Sequence, residues 1–555
     1  MILNSLPRKA EKGEDVAIDI EMFQQEENRL HRPTGKFACI SIKFRGDEDT
    51  YQIYDTDQIA PALELLRDGL WVGHNLIYDL RQLRRWCKSD LLFPTETRPL
   101  WDTMLVERVL WSGYYNDFGL KDCMRRYFDV YMEKETREQF ITMDYMTQEM
   151  KDYAALDVED TLRVQEAQRN ENRNLDVYWK IDVPMIWVAL DMIPVKVDRA
   201  NWGPMAARFV EMGKEIENEL GLNVYSSQKV KEYLDRKGIK VESTGAEILE
   251  EYEGNEIIDK ILLARRYRKA ASTYGQNWLD QFAEEGDLVY GDWKVTGAET
   301  GRMSCSNPSL QNIPARKLPQ YRELFISNNG VMFAPDVSQQ EPRILAYLSH
   351  DQNLTTAVKQ DESVHVYVAR QIYNDPTIVK GDDIRYKDGK AISLGLGYGL
   401  TPKGVAKKTN RTLAEAEQLV MTYFKRFPDV ENYIVHQKTK ALRNEYIETV
   451  AGRRNWLNMH NYQWGNNAIN APIQGSAADF TKVWGAEIWR ACKREGIPFP
   501  ICLFVHDEIV MDVASEHFED IKRINAAAIN KAAEMFPGIP FTFEENYGTS
   551  WACHK

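Results

Sequence analysis

Several short stretches hold carboxylates where they could do chemistry. Asp19 and Glu21 close a β-type run, VAIDIEM, and the two-residue period of a strand sets both on one face. Asp79 stands four residues after Asn75, where a helix opens behind a Trp-Val-Gly-His strand end. Tyr153 and Asp157 have i, i+4 helical spacing, so phenol and carboxylate share a face. Asp336 ends the strand-like segment 331–336. His506-Asp507-Glu508 joins the runs ICLFV and IVMDV as the polar tip of a predicted hairpin. Oxygen ligands of this kind suit hard divalent cations such as Mg²⁺. Two such ions about 3.5–4 Å apart can activate a water and stabilise a departing oxygen. No single piece carries that reading in a chain with 84 acidic residues; the order of the pieces does.

The elements that must position these groups fall into distinct blocks. Residues 15–45 read as two strands, and 57–175 alternate helical patterns with short strands, an α/β pattern. A bridging stretch ends near Asp198. Residues 200–285 read as charged helices, 286–350 as strands and irregular segments, and 351–450 as long helices before the C-terminal hairpin. The 555 residues imply three or four domains at roughly 150 residues each. With 43% hydrophobic and 28% charged residues, the composition is that of a soluble globular protein. There is no apolar run of transmembrane length and no secretory leader pattern, so no membrane association is expected. Seven cysteines without a C-x-x-C pair suit reduced thiols in a cytoplasm. The net charge of −14 argues against a uniformly basic nucleic-acid-binding surface. Local basic clusters remain: Arg81, Arg84, Arg85 and Lys88; Arg265, Arg266, Arg268 and Lys269; Lys403, Lys407, Lys408 and Arg411. Each is also what a solvated helix face looks like.

Taken in order, Asp19-x-Glu21, His74-Asn75 before Asp79, Asp102-Thr103-Met104-Leu105, Gly119-Leu120-Lys121-Asp122 and Tyr153-x-x-x-Asp157 resemble the tyrosine-bearing branch of the DEDD exonuclease superfamily. The resemblance implies that Asp19, Glu21, Asp79 and Asp157 hold metal ions and that Tyr153 orients the attacking water. A phenol with pKa near 10 positions rather than deprotonates at neutral pH. Asn75 is expected on the DNA, and Tyr78 and Phe118 are the aromatic candidates for stacking on a single-stranded 3′ end.

Residues 300–314, TGRMSCSNPSLQNIP, closely resemble the T-G-R-L-S-S-x-x-P-N-L-Q-N-I-P signature of family A, DNA polymerase I-like, DNA polymerases. The family's remaining motifs follow in order. Asp336-Val-Ser-Gln-Gln-Glu341-Pro-Arg343 resembles motif A, with Asp336 as metal ligand and Glu341 as the steric gate against a ribose 2′ group. His365 matches a histidine that touches the triphosphate. Lys390 to Gly399 resembles motif B on the fingers helix, implying that Lys390 contacts the triphosphate and Tyr398 stacks beside the nascent pair. Its glycines read as mid-helix rather than as a dinucleotide loop. Asn470-x-Pro-x-Gln474-Gly475 implies contacts near the primer end. His506-Asp507-Glu508 is motif C, with Asp507 as the second metal ligand, Glu508 as nearby support and His506 in the minor groove. Arg302, Gln311, Asn312 and the thumb residue Lys269 join the DNA contacts implied. The ending Gly548-x-x-Trp551-x-x-His554 and Tyr274 of the thumb also match. The chain departs from the family at Gln340 and Pro342, at Leu394 where an aromatic stands beside the sugar, and at Tyr386, where Arg385 sits one step from the family's arginine.

The resemblance implies a multidomain α/β plus α+β fold: an RNase H-like exonuclease domain over 1–178, then a right-hand polymerase domain over 179–555. The thumb would cover about 200–290, the palm about 291–350 and 450–555, and the fingers about 351–449. It implies two Mg²⁺ per site, with Mn²⁺ as a substitute, and as partners primer-template DNA, dNTPs and a single-stranded 3′ end, leaving room for a helicase or processivity partner. With the exonuclease pattern starting near residue 15, no segment is expected for a 5′ nuclease. That layout resembles polymerases of bacterial viruses or mobile elements, acting as a monomer in the host cytoplasm. Two other readings stay open: a nuclease with a silent polymerase-like half, and a DNA-binding scaffold with both sites dead.

Overall fold

The structure is a computed structural model of the 555-residue chain that describes all residues but 1, 4, 5, 7, 26–33, 88, 96–99, 133, 134, 253, 316, 317, 361, 362, 382, 554 and 555. Lys88 and His554 of the sequence motifs therefore lie outside the described residues. No helix among the described residues is long and apolar enough to cross a membrane. The seven cysteines are all free thiols.

The N-terminal half is built on a six-stranded sheet. Its strands are β1 (Ile2–Leu3), β2 (Asp15–Phe23), β3 (Lys36–Phe44), β4 (Thr50–Ile53), β5 (Leu70–Gly73) and β6 (Leu100–Asp102), in the order β1-β4-β3-β2-β5-β6. β2, β5 and β6 run parallel, while β2 pairs antiparallel with β3. β5 accompanies β2 only along Asp15–Ala17, so the end of β2 that carries Asp19 and Glu21 overhangs it. This is the crevice beyond the carboxyl ends of parallel strands, where open α/β sheets place ligands. The helices bordering it are α1 (Leu76–Leu83), α2 (Thr103–Trp111), α3 (Glu135–Thr142) and the long α4 (Gln148–Asn170).

A π-type turn, Tyr178–Asp182, and helix α5 (Val183–Asp191) lead into the C-terminal half. Two long helices follow, α6 (Arg199–Leu220) and α7 (Glu256–Thr273). Phe209 stacks on Tyr267 between them, with centroids 5.3 Å apart. A small separate core, including Val230, Leu234, Leu249 and Ile258, caps their far end. The central sheet comprises β9 (Gly330–Phe333), β10 (Asp336–Val337), β11 (Ile501–Val505), β12 (Glu508–Ala514), β13 (Phe543–Glu544) and β14 (Tyr547–Gly548), after a short ribbon of β7 (Asp292–Lys294) and β8 (Ser304–Ser306). The sheet order is β13-β10-β12-β9-β14, with β11 also paired to β12. Helices α8 (Gln340–Ser349), α9 (Val364–Tyr373) and α10 (Ile384–Gly395) project from its edge, and α11 (Trp464–Glu495) lies behind it.

Motif B departs from the mid-helix expectation. Helix α10 stops at Gly395, and a tight turn over Leu396–Tyr398 follows. Gly399 adopts φ +80°, and a Cβ there would lie 2.4 Å from the Asn466 side chain. The glycines let the turn close against neighbouring elements, and that end of the helix sets the direction of Tyr398.

One hydrophobic core runs through both halves, from Val16, Val72 and Leu105 to Met332, Trp484 and Trp551. Polar contacts fasten the seam. Asp191 accepts from Arg84 at 2.8 Å and from Trp489 at 2.7 Å. Trp456 stacks on Trp111 and donates to Leu110 O at 2.8 Å. Gly113, with φ +86°, lets Trp456 O approach to where a Cβ would be only 2.1 Å away.

Deepest in the seam is a quartet of buried charges. Arg453 donates to both oxygens of Asp182, each at 2.9 Å, and to Asp479. Lys482 donates to Asp182 at 2.6 Å and to Thr296 at 3.0 Å. Burial alone would raise the Asp182 pKa, but the Arg453 and Lys482 charges outweigh it and hold the carboxyl below its ordinary range. Burial pulls Lys482 down to about 8, against the pull of Asp182. Removing one member of such a cluster strands the others in a medium that solvates charge poorly. Arg453→Met should therefore cost about 3–5 kcal/mol, read as a lowered urea midpoint; an unchanged midpoint would refute the cluster's structural role.

Candidate active sites

In the N-terminal half, Asp19, Glu21 and Asp157 bring one carboxylate oxygen each to within 4.8 Å of one another. They line a cavity of about 750 Å³ together with Asp79, Asn75, Tyr78, His74 and Tyr153. Asp79, read with the other three from the sequence, lies outside their tight group. Its Oδ1 accepts from the Ile20 amide at 2.9 Å, which ties α1 to the overhanging end of β2.

The sequence did not disclose what holds this geometry. Asp102 ends β6 and caps two helices at once. It accepts from the amides of Asn75 (3.1 Å) and Leu76 (2.8 Å) at the start of α1, and of Met104 and Leu105 at the start of α2. Four donors leave it little capacity for a cation, so it is a positioning group. Gly73 is required where β5 turns into α1, since a Cβ would sit 2.2 Å from the Leu76 side chain. Asn75 takes a left-handed φ of +68° at that turn and faces the cavity. Tyr78 also faces it, whereas Phe118, the other aromatic candidate, is buried with Arg108 over its ring. Arg137, which no sequence pattern singled out, lines the cavity as well.

Crowding of like charges away from water shows in the acidities. Burial raises Asp19 to about 6, and burial with the Asp19 charge raises Asp157 to about 8. Glu21 and Asp79 are pushed well above the carboxylate range by burial and then by Asp19. The Tyr153 phenol is raised too, by burial and then by Asp157, so it stays protonated. Oδ1 of Asp157 is buried without a hydrogen-bond partner. An all-oxygen donor set with an unpartnered oxygen and mutually repelling charges fits a hard divalent cation.

The second constellation lies in the C-terminal half, at the ends of two inner strands of its sheet. Asp336 of β10 pairs in register with Glu508 of β12, and the Val337 amide donates to Asp507 O at 3.0 Å. Two acidic residues 171 positions apart (507 − 336) are thus neighbours at the hairpin tip, where His506 takes φ +57°. Asp507 is raised by burial. Glu508 points the other way: it is buried and accepts from Arg322 at 3.1 Å and from Trp551 at 2.9 Å. It braces the hairpin from beneath rather than facing the cleft.

Beside the acids, Arg302 donates to Glu341 at 2.9 Å, and the Tyr398 hydroxyl donates to the other Glu341 oxygen. Gly301 lets this loop lie on the buried Arg453, since a Cβ would be 2.6 Å from its guanidinium. On α10, Lys390 and Leu394 are exposed one turn apart. His365 Nδ1 bonds the Ser393 hydroxyl at 2.7 Å, and burial followed by the Lys390 charge lowers its pKa to about 4. Asn470 reaches Tyr398 O at 3.4 Å, Gln474 is half-buried on α11, and Lys269 is exposed on α7.

Three sequence-picked side chains are engaged elsewhere. The Gln311 amide accepts from Cys305 N and donates to the carbonyls of Met303 and Phe504, which ties the signature loop to β11. Asn312 donates to Ser309 Oγ at 2.8 Å, and its carbonyl accepts the Tyr274 hydroxyl. Arg385 is held by Asp375 and Asp383, each at 2.5 Å, and the neighbouring Tyr386 is buried. The register shift therefore does not present a free guanidinium in place of the family's arginine.

An α/β half with an acidic cavity, joined to a sheet whose strand ends present paired acids beside a set of helices, defines a two-site class. The DNA polymerase family A model matches residues 203–553 and a 3′-5′ exonuclease model matches residues 2–171. The chain belongs to DNA polymerase family A. It is 31% identical over 323 residues to DNA polymerase I of Lactococcus lactis subsp. cremoris, covering 56% of this chain and 36% of that protein. It is 28% identical over 548 residues to DNA polymerase I of Rhizobium leguminosarum, covering 90% of this chain and 53% of that protein. The chain thus spans about a third to a half of these relatives' length. The solved POL domain of Pol1 from M. smegmatis, in complex with DNA primer-template and dNTP, shares the fold with TM-score 0.80 at 24% identity, covering 97% of this chain and 95% of that one.

The acidities carry a testable consequence. Asp19 and Asp157, at about 6 and about 8, lie above the ordinary carboxyl range near 4. Through that window the folded state binds more protons than the unfolded one. Without a cation, the contribution of these groups is present at low pH and lost as pH rises through 6 to 8. Divalent cations need the deprotonated form. Added Mg²⁺ should therefore raise the Tm more at about pH 8 than at about pH 5, and Asp157→Asn should reduce the difference. Equal shifts at both pH values would refute the assignment.

Proposed function

We propose that this chain extends the 3′-OH of a DNA primer with dNTPs under template direction and removes mispaired 3′ ends at its own exonuclease site. The observation that carries the polymerase reading is Asp336 beside the Asp507 hairpin tip, next to Arg302–Glu341–Tyr398. Asp336 and Asp507 would hold Mg²⁺ in the polymerase site, and Asp19, Glu21, Asp79 and Asp157 in the exonuclease site. Bound in pairs, such ions supply an activated oxygen nucleophile and charge neutralisation at the leaving oxygen.

The chain's own groups do the rest. Lys390 and the neutral His365 contact the triphosphate, and Ser393 fixes the histidine's ring. Lys390 supplies positive charge where negative charge shifts during transfer. Glu341, held from both sides by Arg302 and Tyr398, crowds the sugar 2′ position. Arg302, Gln474 and His506 meet minor-groove acceptors common to all correct pairs. Asn470 and Lys269 hold the duplex, a grip made chiefly to phosphates and so weakened by salt. At the other site, the protonated Tyr153 phenol orients the attacking water, and Asn75 and Tyr78 hold the single strand. Pocket discrimination of roughly 1–3 kcal/mol yields about 10–200-fold selectivity, which an editing site supplements. We assign 1–178 to the exonuclease and 179–555 to the polymerase, with thumb, palm and fingers divided as the family resemblance implies. Replication of a phage or mobile element in a bacterial cytoplasm is the setting we assign on that resemblance.

Asp336→Ala and Asp507→Ala should each cut metal-dependent primer extension by more than the roughly 10–100-fold cost of losing an outer-shell partner, with mismatch removal kept. Full extension by either would overturn the metal assignment, and extension absent from the unaltered chain would favour a nuclease with a silent second half. Asp19→Ala with Glu21→Ala should abolish removal of a mismatched end while extension persists; undiminished removal would defeat the exonuclease site. Glu341→Ala should raise ribonucleotide incorporation in the same extension assay, and an unchanged ratio would count against the gate.

A further inference from the structure

The wall of the exonuclease cavity beside the carboxylates carries a guanidinium that the reading above does not use. Arg137 lies on α3, and its charge pulls down the pKa of Asp19, Glu21, Asp157 and Tyr153 alike, favouring their anions. It lines the cavity, yet it forms no ion pair with a described residue. Helix α3 is firmly placed. Phe140 is buried, stacks on Phe23 of β2 with centroids 6.0 Å apart and meets the Tyr153 ring at 6.3 Å. Its carbonyl accepts from the Gln24 amide at 2.8 Å, and Thr136 donates to Glu149 of α4 at 2.6 Å. Thr136 and Phe140, four apart, bury one face of the helix; Arg137 and Ile141, also four apart, present the adjoining face to the cavity, both exposed.

The electrostatics give that face a purpose. Clustered carboxylates attract cations but repel a strand that brings a negative charge at every linkage. Something beside them must hold the phosphates. An exposed guanidinium with an uncommitted fork is the group best shaped to do so, and Ile141 adds apolar surface next to it. We propose that Arg137 grips a backbone phosphate of the single-stranded 3′ end, upstream of the bond to be cut, with Ile141 against the neighbouring sugar or base. The proposal rests on the exonuclease reading.

The test uses the full chain with Mg²⁺ and single-stranded oligonucleotides, either all-phosphate or carrying one uncharged methylphosphonate at the second or third linkage from the 3′ end. Arg137→Ala should slow degradation of the all-phosphate strand by roughly 10–100-fold, and Arg137→Lys by less. Extension of a matched primer should stay at the unaltered rate in both, which reports an intact fold. One methylphosphonate position should slow the unaltered chain by a similar factor and add nothing to the Arg137→Ala defect. Degradation by Arg137→Ala at the unaltered rate, or a methylphosphonate penalty as large in Arg137→Ala as in the unaltered chain, would overturn the phosphate contact. Failure of the unaltered chain to degrade any strand while it still extends primers would instead defeat the exonuclease reading itself.

Discussion

Two acids and two bases, all removed from water, join the halves of this protein. Asp182 comes from the turn between the halves, Arg453 from the strand end at 454–456, and Asp479 and Lys482 from α11. Charges taken out of water are tolerated only when each finds its complement, so the three elements that deliver them must arrive together. What rests on them follows. Gly301 lies on Arg453 and hands Arg302 to Glu341. The same α11 carries Asn470 and Gln474 along the cleft. The seam that holds the nuclease-like half in place is therefore also the floor of the loop beside Asp336 and Asp507.

The two acidic sites differ in what surrounds their carboxylates. In the cavity, four carboxylates are crowded, Asp79 buried and the other three half-buried, and desolvation and mutual repulsion together disfavour the anions. That arrangement stores an electrostatic cost which a bound cation relieves. Around Asp336 and Asp507, neighbouring charges are already balanced within the protein: Glu341 by Arg302, and Glu508 by Arg322.

Several positioning groups carry the same residue types as the groups that would touch substrate. Asp102 resembles a metal ligand by type but spends its oxygens on two helix starts. Glu508 follows Asp507 in the chain, yet the strand period turns it to the opposite face, onto Arg322 and Trp551. Gln311 and Arg385 are likewise consumed in local bonding. A polar residue within a functional motif is as often the part that keeps the motif's shape.

What the sequence by itself determined was whatever depends on near neighbours. The period of two in VAIDIEM placed Asp19 and Glu21 on one face, the i, i+4 step paired Tyr153 with Asp157, and the polar tip between two β runs announced the hairpin at Asp507. The order of these pieces was enough to reach the family. Tertiary structure alone decided which carboxylates gather and which turn aside, that Asp79 stands apart from the tight trio, that Arg137 faces them, and that Arg453 meets Asp182 from 271 residues away. The reason is physical. Backbone periodicity and turn chemistry act over a few residues and leave a pattern in the string. The pairing of buried charges depends on how distant elements pack, and no local spacing encodes it.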